Sequence, residues 1–564
     1  MPRSVLARAP VGTKGIMGIN MRRREGGADM GRYVNPSSEG FRQILGRRYV
    51  DKTGLIALFD STLETSDKLV MVSRPRRFGK SFAAQSVAAF YSCGADSRAL
   101  FEGLEVSRRG CWDEHLNAYN VLQLDMAGVM QSAAGADAVA AVTDAVLPEL
   151  RELAPDAGSR AIGSRSMLGD ALYDVVRATG RKFVFVIDEW DAPYRLAQGE
   201  RAAPDAYADW LRALFKNANL TPFVVAGAYM TGILPIKKYA HQSAVSDFWE
   251  YTMVDPAQYA PYVGFTEGEV EALCAEHGLD VADVRRWYDG YDLPAFGTGP
   301  GGPTHVATYA PYSVMRACAR RRTGSYWPST ETFEELRRYI DMDFEGLQAD
   351  VLRAIGGEEL RVDPATFNND MTSVGSRDDA LTLLVHLGYL CYDIGTGRAR
   401  VPNEEVRGEL RRAVGRSRHP RVARVMRDSM RLVEDVLARD EEAVAVAIGR
   451  AHDAACAPVH YNGEQALRAV VKAALVAAVD DWACVDELPS GHGYADVAYL
   501  PRSGSGRPAL LVELKWDRPV SAAVDQVLDR DYPQVLRDLG VPILLVAVTY
   551  DAKTKEHSCS ITEA

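Results

Sequence analysis

A short apolar run, Lys68-Leu-Val-Met-Val-Ser73, leads straight into Arg74-Pro-Arg-Arg-Phe-Gly-Lys-Ser81 and then into the helix-forming segment Phe82–Tyr91. A turn that holds phosphate ahead of a helix needs open backbone N–H groups, a Gly, and a Lys that reaches the β- and γ-phosphates, in the pattern G-x-x-x-x-G-K-[ST]. Gly79, Lys80 and Ser81 fit this pattern, and Arg74 stands where the first Gly belongs. The flanking elements supply the context, because the N-terminus of the following helix would face an anion. The competing reading is a basic turn on a surface. On the phosphate reading, Lys80 is expected to be largely solvated when no ligand is bound.

Nucleotide hydrolysis also needs an acidic residue at a strand end to hold Mg²⁺ and a neighbouring carboxylate to orient water. The run Phe183-Val-Phe-Val-Ile187 closes on Asp188-Glu189 and supplies both. The next apolar run, Pro222–Thr231, ends in Thr231, where a polar group would sense a γ-phosphate. Lys237 and Lys238 follow as sources of positive charge. A capped strand end and a solvated basic turn are the plain alternatives for these three.

Fully apolar short strands alternating with helices predict a parallel sheet covered on both faces. The expected fold class is therefore α/β, with an N-terminal P-loop domain. Residues 1–38, Gly- and Arg-rich without an apolar period, read as a flexible tail, and 39–264 as the phosphate-loop domain. Residues 265–450 read as a mainly helical middle, opened by the capping-box pattern Thr266-Glu-Gly-Glu269. They include a Gly- and Pro-rich loop from Leu293 to Thr304 and a hairpin-like stretch near Tyr389–Val401. Residues 451–564 read as a separate α/β domain, α-β-β-α-β in order.

That last segment carries a second cluster of charge. Asp496 lies in Ala495-Asp-Val-Ala-Tyr-Leu500, and Val512-Glu513-Leu514-Lys515 follows it. Alternate residues of a strand share a face, so Glu513 and Lys515 project together. If the two strands pair, Asp496 comes to lie beside Glu513. Two carboxylates and a Lys suit Mg²⁺-dependent phosphodiester hydrolysis. Glu464 on the preceding helix is a candidate third carboxylate, and Gln526 and Tyr532 on the following helix are candidates for positioning substrate. A salt-bridged hairpin is the alternative.

Composition narrows the partners. The 564 residues hold 76 acidic and 65 basic side chains, a net charge of −11, so no whole-protein basic footprint exists. Arg407–Arg431 is a local exception, with nine Arg against Glu409 and Asp428. It reads either as a nucleic-acid track or as a solvated helix face. Trp287, Tyr288 and Tyr291 read either as base-stacking residues or as packing at a helix end. The eight Cys are scattered without a C-x-x-C, consistent with reduced thiols and a cytoplasmic location. No apolar run approaches a membrane span, so no membrane partner is expected.

Taken in order, Tyr49-Val-Asp-Lys-Thr53, Ser73–Ser81, Ile187-Asp-Glu-Trp-Asp191, Thr231–Lys238, Trp287-Tyr-Asp-Gly-Tyr291, Leu387-Gly-Tyr389, Pro402-Asn-Glu-Glu-Val406, Gly493–Asp496 and Glu513-Leu-Lys515 resemble a family of bacterial proteins. Its members join an AAA-ATPase-like N-terminal domain to a C-terminal nuclease domain of the PD-(D/E)XK superfamily, with a restriction-endonuclease-like fold. Arg74 in place of the first Gly is usual in that family. The resemblance implies ATP and Mg²⁺ as cofactors, with Lys80, Ser81 and Asp188 binding them and Glu189 activating water. It implies Asp496, Glu513 and Lys515 as the nuclease triad, supported by Glu464, Gln526 and Tyr532. The expected partner is nucleic acid, DNA rather than RNA. No arginine finger is identifiable, and a homo-oligomer is among the expected assemblies. The alternative reading is a nucleotide-switched regulator whose nuclease fold binds without cutting.

Overall fold

The structure is a computed structural model. It describes residues 31–132, 137–159, 164–196, 202–235, 247–295, 304–327, 346–367, 374–415, 420–455, 463–490, 493–501, 506–519 and 540–563. Two compact units divide the chain: Met1–Pro328 with Arg361–Glu405, and Ser329–Leu360 with Val406–Ala564.

The first unit is built on five parallel strands: β1 (Leu69–Ser73), β2 (Asn120–Asp125), β3 (Phe183–Asp188), β4 (Val225–Gly232) and β5 (Trp249–Tyr251), in the order β2-β3-β4-β1-β5. Every residue of β1, β3 and β4 is buried, as expected of strands covered on both faces. Leu69, Met71, Leu122, Leu124, Phe183, Phe185 and Ile187 alternate along their strands. They share one core with Val139, Val142 and Val146 of helix Ala138–Leu153 and with Leu168 and Leu172 of helix Ser164–Thr179. The helix α1 (Lys80–Tyr91) also packs against the sheet.

Residues 31–38, expected as the end of a tail, belong to this unit. Val34 is buried and bridges Leu122, and the amides of Arg32, Tyr33 and Val34 donate to the Glu149 carboxylate. Glycine-rich composition hid this attachment, because backbone amides rather than side chains make it.

The stretch after 264 is less helical than its sequence suggests. Strands β6 (Phe265–Thr266), β7 (Tyr291–Ala295) and β8 (Thr304–Tyr309) form an antiparallel sheet in the order β6-β8-β7. Strand β7 contains Pro294, which a sheet tolerates because β7 lies at its edge. Pairing extends through Leu293 and Thr304, both expected to be loop. Helix α2 (Pro311–Arg320) packs Val314, Ala317 and Cys318 into a core with Phe265, Leu273, Tyr288 and Tyr309. The hairpin-like stretch is a hairpin, Cys391–Asp393 against Arg398–Arg400.

In the second unit, helix α3 (Glu464–Ala474) precedes a mixed five-stranded sheet. Its strands are β9 (Trp482–Ser490), β10 (Gly493–Pro501), β11 (Ala509–Trp516), β12 (Ile543–Asp551) and β13 (Glu556–Glu563), side by side in chain order. The β11–β12 pair is parallel and the others are antiparallel. Period-2 alternation divides two cores. Val497, Tyr499, Val512, Leu514, Val546 and Val548 meet the helices on one face. Ala498, Ala509, Leu511 and Leu545 form the cluster on the other.

Candidate functional site

Strand β1 ends at Ser73, and the loop Arg74–Gly79 carries the chain into α1. Gly79 sits at φ 90° immediately before the helix, a conformation that L side chains rarely adopt. Arg77 holds the same left-handed region at φ 72°. The loop folds around its own lysine. Lys80 is buried, and its Nζ donates to the carbonyls of Arg74 at 3.0 Å and Pro75 at 2.8 Å. Burial pushes the ammonium down to about 8, opposed by the charges of Asp188, Asp191 and Glu189. The expectation of a largely solvated lysine is therefore corrected. The loop's carbonyls replace water around the ammonium, and among the described residues no carboxylate is hydrogen-bonded to it.

The strand order places β4 between the loop strand β1 and the acidic strand β3. Three polar side chains meet at the strand ends. Thr231 Oγ1 and Ser81 both hydrogen-bond to the Asp188 carboxylate. Burial raises the Asp188 carboxyl above its ordinary value, opposed by these hydrogen bonds and by Lys80. Glu189 follows at φ 51°, a strained conformation for a residue with a side chain. Its Oε2 is 2.7 Å from Arg195 NH2.

The side chain of Arg74 lies elsewhere. It is fully buried, and its guanidinium donates to the carbonyls of Ser73, Tyr251 and Thr252 at 2.8–3.1 Å. It ties the loop to the edge strand β5, while its own carbonyl serves Lys80. Lys237, Lys238, Gln526 and Tyr532 lie outside the described residues.

Sequence reasoning missed the brace beneath this site. Asp191 is completely buried; its Oδ2 accepts from the amides of Ile233 and Leu234 and lies 3.3 Å from Arg195 Nε. Trp190 donates through Nε1 to the Leu234 carbonyl, and its backbone N–H to that of Thr231. Gly232 has no room for a side chain, because a Cβ there would stand 2.5 Å from the Trp190 ring. The Asp191–Arg195 spacing of four on a helix was the available signal.

The aromatic motif read as either stacking or packing turns out to pack. Tyr288 and Tyr291 are fully buried. Tyr291 donates to the Gly388 carbonyl at 2.6 Å, and its ring meets Phe78 of the phosphate loop edge-on at 5.2 Å. A Cβ on Gly388 would lie 2.7 Å from Pro75, and one on Gly290 would overlap the Pro402 carbonyl. The motifs around 288–291, 387–389 and 402–403 thus form one scaffold behind the phosphate loop.

In the second unit, β10 pairs with β11 through Val497↔Val512, the positions next to Asp496 and Glu513 in the chain. Asp496 Oδ2 accepts from the Leu514 amide at 2.9 Å. Lys515 Nζ lies 3.0 Å from Glu513 Oε1 and donates to the Leu514 carbonyl. Glu513 and Lys515 are both buried. The structure thus ties Asp496 to the backbone between Glu513 and Lys515 and pairs those two side chains with each other. It also adds Arg468 of α3, whose NH2 lies 2.9 Å from Asp496 Oδ1. Glu464, one turn earlier on α3, is exposed, and no group of three or more metal-ligating side chains forms among the described residues.

Residues 39–240 match a family model described as "Predicted AAA-ATPase". The chain is 27% identical over 406 residues to an uncharacterized protein in the vnfD 5′ region of Azotobacter chroococcum mcd 1, covering 70% of this chain and 71% of the relative. Among solved structures it aligns with the Walker-type ATPase PABY2304 of Pyrococcus abyssi at 13% identity and TM-score 0.32, covering 64% of this chain and 95% of the other. It also aligns with the ORC2 protein of Aeropyrum pernix at 12% identity and TM-score 0.29, covering 64% and 92%. The sheet order, the loop geometry and the family match make the N-terminal region AAA-ATPase-like. No described helix is long and apolar enough to cross a membrane.

Proposed function

We propose that the chain binds and hydrolyses ATP at the Arg74–Ser81 loop, and that the second unit is a metal-dependent nuclease acting on nucleic acid, DNA rather than RNA. The observation that carries the ATP reading is the convergence of Lys80, Ser81, Asp188 and Thr231 at the ends of β1, β3 and β4. Lys80 is positioned to exchange two carbonyl partners for phosphate oxygens. The N-terminal amides of α1 face the same loop and add positive potential. Thr231 and Ser81 hold Asp188 in place.

Mg²⁺ fits this donor set. A hydroxyl and a carboxylate are hard oxygen ligands, and the ion usually keeps several waters while bridging protein and phosphate. Ser81 and Asp188 would hold it, and when bound it neutralises charge building on the phosphates. Hydrolysis forms a bond from water oxygen to the γ-phosphorus, breaks the bond to the ADP oxygen, and releases a proton. Glu189 accepts that proton on this reading. Its pairing with Arg195 means that the guanidinium must yield before the carboxylate is free to act as a base.

For the second unit, the Asp496/Glu513/Lys515 cluster supports cleavage. Two carboxylates suit Mg²⁺, and Lys515 would stabilise a hydroxide or the departing oxyanion. Arg424, Arg427 and Arg431, exposed on helix Pro420–Ala438, offer charge for a phosphate backbone. A second reading, binding without cutting, is favoured by one observation: Arg468 and Lys515 already neutralise the two carboxylates. A Mg²⁺-dependent cleavage assay on linear, circular and single-stranded DNA, with and without ATP, separates the readings. Cleavage that disappears in Asp496→Asn supports the nuclease. No cleavage of any substrate by the wild type contradicts it and leaves the binder.

A further inference from the structure

Helix α2 in the first unit presents a charged edge that the ATP site does not use. Tyr312, Arg316 and Arg320 recur at intervals of four, so they line one face of the helix. Ser313, Val314, Ala317 and Cys318 occupy the buried face. The chain leaves the helix through Arg321 at φ 52°, and the amides of Arg321 and Arg322 bond back to the carbonyls of Cys318 and Ala317. That closure fixes two more arginines at the helix end. Arg316, Arg320, Arg321 and Arg322 are all exposed.

Two aromatic rings support two of these guanidiniums, those of Arg316 and Arg320. The Tyr312 ring meets both Arg316, 5.1 Å from its centroid, and Arg77 of the phosphate loop, 4.3 Å from it. Arg320 lies 5.2 Å from the centroid of Tyr326, and the Tyr326 hydroxyl donates to the Arg322 carbonyl at 2.8 Å. None of the four arginines forms an ion pair with a carboxylate among the described residues. The nearby acids are committed elsewhere. Asp283 is taken by Arg286 and Thr323, and Glu405 accepts from Ser313 and from the amides of Tyr326 and Trp327. In a chain of net charge −11, four exposed arginines within seven residues form an uncompensated positive edge.

We infer that Arg316, Arg320, Arg321 and Arg322 form a binding surface for the phosphate backbone of nucleic acid, separate from the carboxylate cluster of the second unit. Guanidinium forks match phosphate oxygens in a bidentate way. Tyrosine rings against Arg316 and Arg320 limit the rotamer freedom those two lose on binding. The surface borders the ATP loop through the Arg77–Tyr312 contact, so a backbone engaging Arg316 shares Tyr312 with that loop. The inference rests on the nucleic-acid reading of the chain.

The test is fluorescence anisotropy of the full chain with a labelled single-stranded DNA across a salt series. The variants are Arg316→Gln/Arg320→Gln/Arg321→Gln/Arg322→Gln and, for comparison, Arg424→Gln/Arg427→Gln/Arg431→Gln. The first variant is expected to bind at least about tenfold more weakly near 100 mM salt. Its slope of log K against log salt should be shallower by about 3, from roughly 0.7 per lost phosphate contact on a single strand. Its melting temperature should stay within a degree or two of wild type. Arg321→Gln/Arg322→Gln alone should give about half the change in slope. Unchanged affinity and slope in the fourfold variant overturn this surface but leave the nucleic-acid reading standing. No binding by the wild type overturns both. Competition by poly-glutamate as effective as that by DNA of equal charge assigns the surface to an acidic polypeptide and overturns it as stated.

Discussion

The two charge clusters use the same residue types in opposite ways. At the phosphate loop, Lys80 hydrogen-bonds only to carbonyl oxygens among the described residues, while the acids act on it from a distance. In the second unit, Lys515 sits directly on Glu513, and Arg468 sits on Asp496. The first arrangement is preorganised for an anion, because carbonyl partners exchange for phosphate oxygens without breaking an ion pair. The second is internally neutral, so a cation must displace a bound guanidinium to gain both carboxylates. A buried lysine held by dipoles is poised for a ligand, whereas one held by a carboxylate is largely satisfied.

The most severe break of this comparison is Lys80→Ala. ATP turnover should fall by on the order of 10²–10³-fold, the scale for loss of one preorganised donor to transition-state charge. A phosphate-release assay checks it, with Asp496→Asn as the parallel sample at wild-type rate. Next in size, Asp496→Asn should reduce Mg²⁺-dependent DNA cleavage by roughly 10²-fold, for the same electrostatic reason. Gel quantification of product at fixed Mg²⁺ reads it.

A pH series sharpens the contrast. Unliganded Lys80, lowered from 10.5 to about 8, sheds its proton as pH rises through 8. ATP binding needs the ammonium, so affinity should be flat below pH 7 and about tenfold weaker at pH 9. Lys80→Arg should flatten that fall, because its guanidinium stays charged. Stability moves the other way. Between pH 8 and 10.5 the unfolded lysine holds the proton that the folded one has lost. The burial cost is therefore fully present below pH 8 and is recovered as pH rises through that window. Nucleotide titrations and thermal melts on the same samples should diverge in sign.

The strands and the acidic strand end were legible because each is a contiguous run. The continuous apolar stretches at 69–73 and 183–187 specify strands buried on both faces, and Asp188 simply follows one. The pairing of the strands that carry Asp496 and Glu513 was legible from period-2 alternation and the Gly-rich turn. What escaped depends on contacts distant in sequence. Arg74 turns away from the phosphate site because carbonyls of Tyr251 and Thr252, 177 and 178 residues later, receive it. The burial of Lys80 depends on how the loop's carbonyls are folded, which no side-chain pattern encodes. Arg468 competes for Asp496 from a helix 28 residues earlier, the same helix that offers Glu464 as the candidate third carboxylate.

That last residue gives the smallest expected effect. Arg468→Ala removes the guanidinium that competes for Asp496, so Mn²⁺ affinity at the second unit should rise several-fold, on the order of 1 kcal/mol. Calorimetry of the variant against wild type reads it, with Asp496→Asn as the control that removes the site. Weaker Mn²⁺ binding in Arg468→Ala would mean that the arginine organises the carboxylates instead of neutralising them.

The central claim is that a single ATP site lies at Lys80, independent of the carboxylate cluster. Equilibrium dialysis of radiolabelled ATP against the full chain at pH 7 with Mg²⁺ tests it most directly, using wild type, Lys80→Ala and Asp496→Asn. The account predicts saturable binding by the wild type, its loss in Lys80→Ala, and an unchanged dissociation constant in Asp496→Asn. Wild-type affinity in Lys80→Ala would contradict it.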